Sequence, residues 1–121
     1  MKIPGPDHPI TIGPALRRVR VTLGGRTVAE SSRALVLQEA SYRPVHYIPR
    51  EDAVMAHFER TMHSTHCPYK GDASYFHLKV GDRQSANAVW SYETPFPAMA
   101  AIKGHLAFYP DRVDAIEEVE G

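Results

Sequence analysis

The sequence predicts a mainly β fold, a single compact antiparallel domain of six to eight short strands with two short helices. Three observations carry this. Several segments alternate apolar and polar residues with period two, glycine-bearing turns separate them at hairpin spacing, and only two short stretches read as helical. The chain has 121 residues, 43% of them apolar and 23% charged, which is enough to bury one core and ordinary for a globular domain.

Residues 1–14 hold Pro4, Pro6, Pro9 and Pro14. Proline fixes φ and removes a donor, so this segment reads as a Pro-rich extended arm ahead of a single mainly β domain over residues 15–121. Val19, Val21 and Leu23 alternate with polar residues as in a half-buried strand, and Gly24-Gly25 supplies a tight hairpin turn into Thr27-Val28-Ala29. Residues 34–39, with a continuous apolar run, predict a third strand buried on both faces. Pro44 and Pro49 frame a short extended piece carrying His46, Tyr47 and Ile48.

The better helix candidate covers residues 51–61. Glu51 and Asp52 suit its first turn, and Val54, Met55, Phe58 and Met62 fall on one stripe. Strand alternation returns at residues 73–80, turns at Gly81-Asp82 and comes back over residues 88–92. The loop TPFP leads to a second short helix at residues 98–103, which Gly104 ends. Residues 105–109 and 113–119 complete the set, the last with an acidic outer face.

Composition narrows the function. Fourteen basic residues balance fourteen acidic ones, so binding nucleic acid through bulk charge is not expected. Arg17, Arg18 and Arg20 read as a solvated strand face. A single cysteine excludes an internal disulfide and the paired Cys-x-x-Cys arrangement of structural zinc. No apolar run of about 18 residues is present, so no membrane partner is expected. The first residues lack the apolar centre of a signal peptide, which makes a cytoplasmic location the expectation.

Three kinds of chemistry are open to the segment HCPYKG. Cys67 is a candidate nucleophile, since Lys70 three residues on, or a nearby histidine, could supply the cation or base a thiolate needs; most free cysteines, however, are small buried residues. His63, His66 and Cys67 are candidate metal ligands, but neighbours on a strand point to opposite faces and a fourth ligand is unaccounted for, so no metal or cofactor is assigned. There is no G-x-S-x-G, no G-x-x-x-x-G-K-[ST] and no G-x-G-x-x-G. The third option is an aromatic and cationic pocket built by YIPRE, CPYKG and WSYETPFP. Tyr47 and Trp90 would stack against a ligand, Arg50 and Lys70 would hold an anionic group, and Tyr69 and Tyr92 would donate hydrogen bonds. Each ring taken alone is core material; three aromatic-and-cationic loops together favour a pocket.

Tyr-Ile-Pro, Cys-Pro-Tyr-Lys-Gly, Trp-Ser-Tyr and Ala-Phe-Tyr, between Val19 and Asp114, resemble the domain-of-unknown-function family 427. The resemblance implies a tent-like β domain similar in arrangement to methionine sulfoxide reductase B and the cereblon ligand-binding domain. Those relatives carry zinc on two Cys-x-x-Cys pairs, which one cysteine cannot reproduce, so the likeness is of shape and not of metal. The family also carries a nucleotidyltransferase label. Such enzymes need a Gly-Ser loop and paired carboxylates for Mg²⁺, whereas Asp72 and Asp82 are isolated and Asp111 and Asp114 flank a turn.

The expectation is therefore a domain that binds a small molecule, with Tyr47, Arg50, Tyr69, Trp90 and Tyr92 as contacts. The alternatives are an enzyme using Cys67 with Lys70, and an interaction module that recruits a partner along an edge strand.

Overall fold

Over the described residues, 1–120, the computed structural model has ten strands and only short 3-10 turns. In chain order the first five strands are β1 (Ile10–Pro14), β2 (Arg18–Leu23), β3 (Arg26–Ser31), β4 (Leu35–Glu39) and β5 (Val45–Tyr47). The rest are β6 (Phe58–Cys67), β7 (Gly71–Val80), β8 (Arg83–Ser91), β9 (Ala107–Phe108) and β10 (Ala115–Val119). All pair antiparallel, in three sheets ordered β1-β4-β5, β10-β2-β3 and β6-β7-β8-β9. The mainly β class expected from the sequence is the class observed.

Local chemistry explains the joints. Gly24 and Gly25 both take positive φ, +60° and +77°, the backbone that a two-residue turn between right-twisted strands requires. Pro14 closes β1, an edge strand, where a missing N–H costs no ladder bond. The second half of the Pro-rich segment thus joins the body, with Ile10 and Ile12 packed against its core. A register shift lies in β7–β8 between Phe76 and Leu78. There Asn87 takes φ +46° and its N–H donates to His77 Nδ1 at 2.9 Å. Such a bulge bends a strand. It lies just before β8 passes from one apolar cluster, entered by Ala88 and Val89, to the other, entered by Trp90 and Tyr92.

The helix expected over residues 51–61 does not form. Two single 3-10 turns, Arg50–Asp52 and Met55–His57, lead straight into β6. Helical spacing implied a buried stripe, yet Met62 is fully exposed and Val54 is exposed too. Sheet pairing offered more: Phe58 and Glu59 lie opposite Leu78 and His77 on β7, and the Val54 N–H donates to Val28 O at 2.8 Å. Glu51 and Asp52 serve Arg33, and Asp52 also accepts from Ser31, instead of capping a helix. The second expected helix is present only as 3-10 turns over Pro97–Ile102, kinked at Met99.

The core divides in two. Val19, Val21 and Leu23 of β2 meet Phe76, Leu78 and Val80 of β7 in one cluster. Leu37, Tyr47, Ala73, Tyr75, Tyr92 and Ala107 form the other. Between them runs the line of β5 and β9, whose alternate residues feed opposite clusters: Tyr47 and Ala107 one way, Ile48 and Phe108 the other. Among the described residues no helix is long and apolar enough to cross a membrane.

Candidate functional site: an aromatic cavity beside a buried ion pair

A lysine in a hairpin turn ordinarily reaches into water. Lys70, in the turn between β6 and β7, is instead only 7% exposed. Its ammonium donates to Glu39 Oε1 at the end of β4, and Cys67 Sγ lies 3.7 Å from the same nitrogen. Charge removed from water must be paired, and Glu39 is paired twice, since His8 Nε2 lies 2.7 Å from its other oxygen. Burial alone would raise the Glu39 carboxyl. The hydrogen bonds from Lys70 and His8 outweigh it and hold the group below the usual carboxylate range. His8 is brought there by the tight turn Gly5–His8 and stacks on Tyr69, the rings 4.1 Å apart and 8° from parallel.

The turn depends on Gly71. Its φ of +111° is reached readily only by glycine, and the preceding carbonyl, of Lys70, accepts the Phe96 N–H at 3.0 Å. Gly71→Ala is expected to cost about 2 kcal/mol through backbone strain alone, because the added methyl group would meet its neighbours only at ordinary contact distance, 3.6 Å. Urea unfolding checks this; an unchanged midpoint would remove the strain argument.

Beside the ion pair the aromatics of the second cluster stand around a cavity of about 230 Å³. Trp90 donates its indole N–H to the Tyr47 hydroxyl at 3.3 Å and lies 4.5 Å, centre to centre, from Tyr109. Tyr75 joins its hydroxyl to those of Tyr109, 3.1 Å away, and Thr65, 3.0 Å away. Burial pushes the Tyr47 and Tyr92 phenols well above their ordinary value, and burial with the Tyr75 bond pushes Tyr109 up to about 12. These hydroxyls therefore stay neutral and able to donate at any physiological pH. The Tyr92 hydroxyl has no hydrogen-bond partner among the described residues although it lines the cavity.

Of the residues read from the sequence, Tyr47, Lys70, Trp90 and Tyr92 come together at this cavity. Cys67 touches Lys70 but is not part of the cavity wall. Tyr69 stacks on His8 instead. Arg50 lies elsewhere: it donates to Gly104 O and Ser91 Oγ, pairs with Glu93 at 3.2 Å and covers the Phe76 ring. Its work is to tie β8 to the loop before β9. Sequence reasoning missed Glu39, Arg43 and Tyr75 as wall residues. Glu39 lies 31 residues from Lys70, and no spacing rule joins a strand-end carboxylate to a turn lysine that far away.

The metal option for HSTHC finds no geometry in its favour. His63 packs its ring on Tyr75, His66 Nδ1 bonds Asp72, and Cys67 turns to Lys70. Among the described residues no three imidazole, thiol or carboxylate groups converge on one point. Asp72 is held by His66 and Asp114 by Gly24 N–H and Arg83, far apart in the topology.

A family model matches residues 11–119. The chain belongs to the domain-of-unknown-function family 427 (DUF427). The family's description assigns no activity, although its model carries a nucleotidyltransferase label. A search of curated proteins finds no match.

Proposed function

We propose that this domain binds a small organic molecule in the cavity between β4–β5 and β7–β8. One observation carries the reading: five tyrosines and a tryptophan line a space that their own side chains leave unfilled, next to a fully paired Lys70–Glu39 couple. Interiors pack closely, and a cavity ringed with polar tips is suited to a ligand's hydrogen bonds. Trp90 and Tyr109 offer faces for stacking, and the Tyr92 hydroxyl offers an unused donor.

The test uses the chain's single tryptophan. Benzoate, nicotinamide and uracil are titrated into ¹⁵N-labelled protein while the Trp90 indole N–H is followed. At least one is expected to move it saturably, and Tyr92→Phe is expected to weaken that response several-fold. A resonance that none of the three moves at millimolar concentration, in protein that remains folded, rejects the reading.

A second reading, catalysis by Cys67, has the 3.7 Å approach of the Lys70 ammonium in its favour. Against it, the half-buried thiol is outside the cavity wall. Iodoacetamide labelling of wild type and Lys70→Met separates the two: equal rates in both proteins make Cys67 a packing residue.

A further inference from the structure

A second, larger cavity lies on the opposite face of β5. Its volume is about 520 Å³ and its wall is mostly carbon, from Val21, Pro44, Ile48, Phe108 and Ile116. Three residues, Arg43, Val45 and Trp90, border both cavities. Their arrangement follows from the strand. Tyr47 faces the smaller space, while His46 and Ile48, by alternation, face the larger. At its far end β5 is closed against the loop before β9 by paired hydrogen bonds between Ile48 and Leu106, each 2.8 Å. Toward Arg43 the strand is paired only on its other side, with β4, and Arg43, Val45 and Trp90 stand on the border between the two spaces.

The charges in the two walls leave one uncompensated. Lys70 and Glu39 neutralise each other, and His46 Nε2 sits 3.3 Å from Glu118. Arg43, exposed at the shared rim, has no carboxylate or carbonyl partner among the described residues. The smaller cavity alone is also below the roughly 300 Å³ at which ligand sites begin, whereas the larger falls well inside that range.

We infer that the two cavities form one bipartite site for a monoanionic amphiphile. This rests on the first cavity being a ligand site, and names the class of molecule it takes. The acid group is held at Arg43, with tyrosine hydroxyls behind it, and the hydrocarbon body lies in the larger cavity against Val21, Ile48, Phe108 and Ile116. An apolar body accounts for the carbon wall, and a single negative charge accounts for the single free guanidinium.

Octanoate, octanol and acetate are titrated into methyl- and ¹⁵N-labelled protein, with benzoate as a probe of the smaller cavity. Octanoate is expected to move the Trp90 indole and the Val21 and Ile116 methyls together, and to bind about tenfold tighter than octanol. Arg43→Gln, on the surface and without structural contacts, is expected to erase that preference. Ile116→Phe, which fills the larger cavity, is expected to weaken octanoate and leave benzoate unchanged. If benzoate shifts Trp90 but octanoate moves Val21 and Ile116 no more than acetate does, the bipartite site is wrong and the first cavity stands alone. Octanol binding as well as octanoate overturns the anionic head. Silence from all four probes removes the bipartite site, and silence from nicotinamide and uracil as well removes the first reading.

Discussion

Lys70→Met is expected to destabilise the domain by about 3 kcal/mol, because it leaves the Glu39 carboxylate half-buried with only His8 for a partner. The methylene stem is largely kept, so the loss is electrostatic. Removing both charges tells the two effects apart. In a Glu39→Gln background the same substitution is expected to cost less than about 1.5 kcal/mol, since no stranded charge remains. Urea unfolding of the four proteins completes the cycle, and additive costs would mean that the couple is not the linchpin of this turn. The acid limb gives an independent check. Glu39 is held below its ordinary range in the folded state, so the stability it contributes is full above the unfolded carboxyl value, near 4.3, and is lost as pH falls through the folded value. Glu39→Gln is therefore expected to flatten the loss of stability below about pH 4, at the cost of a lower plateau at neutrality.

The sequence announced those parts of the molecule in which local chemistry and tertiary demand agree. Gly24-Gly25 needs positive φ wherever it sits, and the alternation at Val19, Val21 and Leu23 is a strand's own signature; both appear as read. Residues 51–62 show the opposite case. Acidic residues in a first turn and apolar residues at helical spacing are consistent with a helix, but the same residues also satisfy a strand that pairs with β7. A ten-residue strand, seven of whose residues pair with a long hairpin partner, outweighs an isolated short helix, which is marginal in water. The site divides in the same way. Tyr47, Lys70, Trp90 and Tyr92 were visible because aromatic residues with polar tips gathered in three loops. Arg50 and Tyr69 share that composition yet turn elsewhere, one to Glu93 and the other to His8. Which face a side chain takes is set by partners far away in the chain, 31 residues for Lys70 to Glu39 and 54 for Arg50 to Gly104, and composition carries no trace of them.

Tyr47→Ala and Tyr47→Phe are expected to part sharply, and their difference bears on whether the aromatic cluster is core or site. Tyr47 is 2% exposed and belongs to the second apolar cluster, so alanine there leaves a cavity and is expected to cost about 4 kcal/mol. Phenylalanine keeps the ring and removes one acceptor, that of the Trp90 indole N–H at 3.3 Å, for an expected cost of about 1 kcal/mol. The indole proton should then move upfield as its bond is lost, a change that ¹H–¹⁵N spectra read directly. The two substitutions also divide the labour of the residue. If Tyr47→Phe keeps the response to benzoate while Tyr47→Ala abolishes it in protein that is still folded, the ring serves the ligand as a wall and the hydroxyl serves Trp90. If Tyr47→Phe alone abolishes the response, the hydroxyl is in direct use, and the indole bond is what a ligand displaces on entry. A cluster that does nothing but fill the core predicts neither pattern: both variants would lose stability in these proportions and Trp90 would respond to no small molecule in any of them.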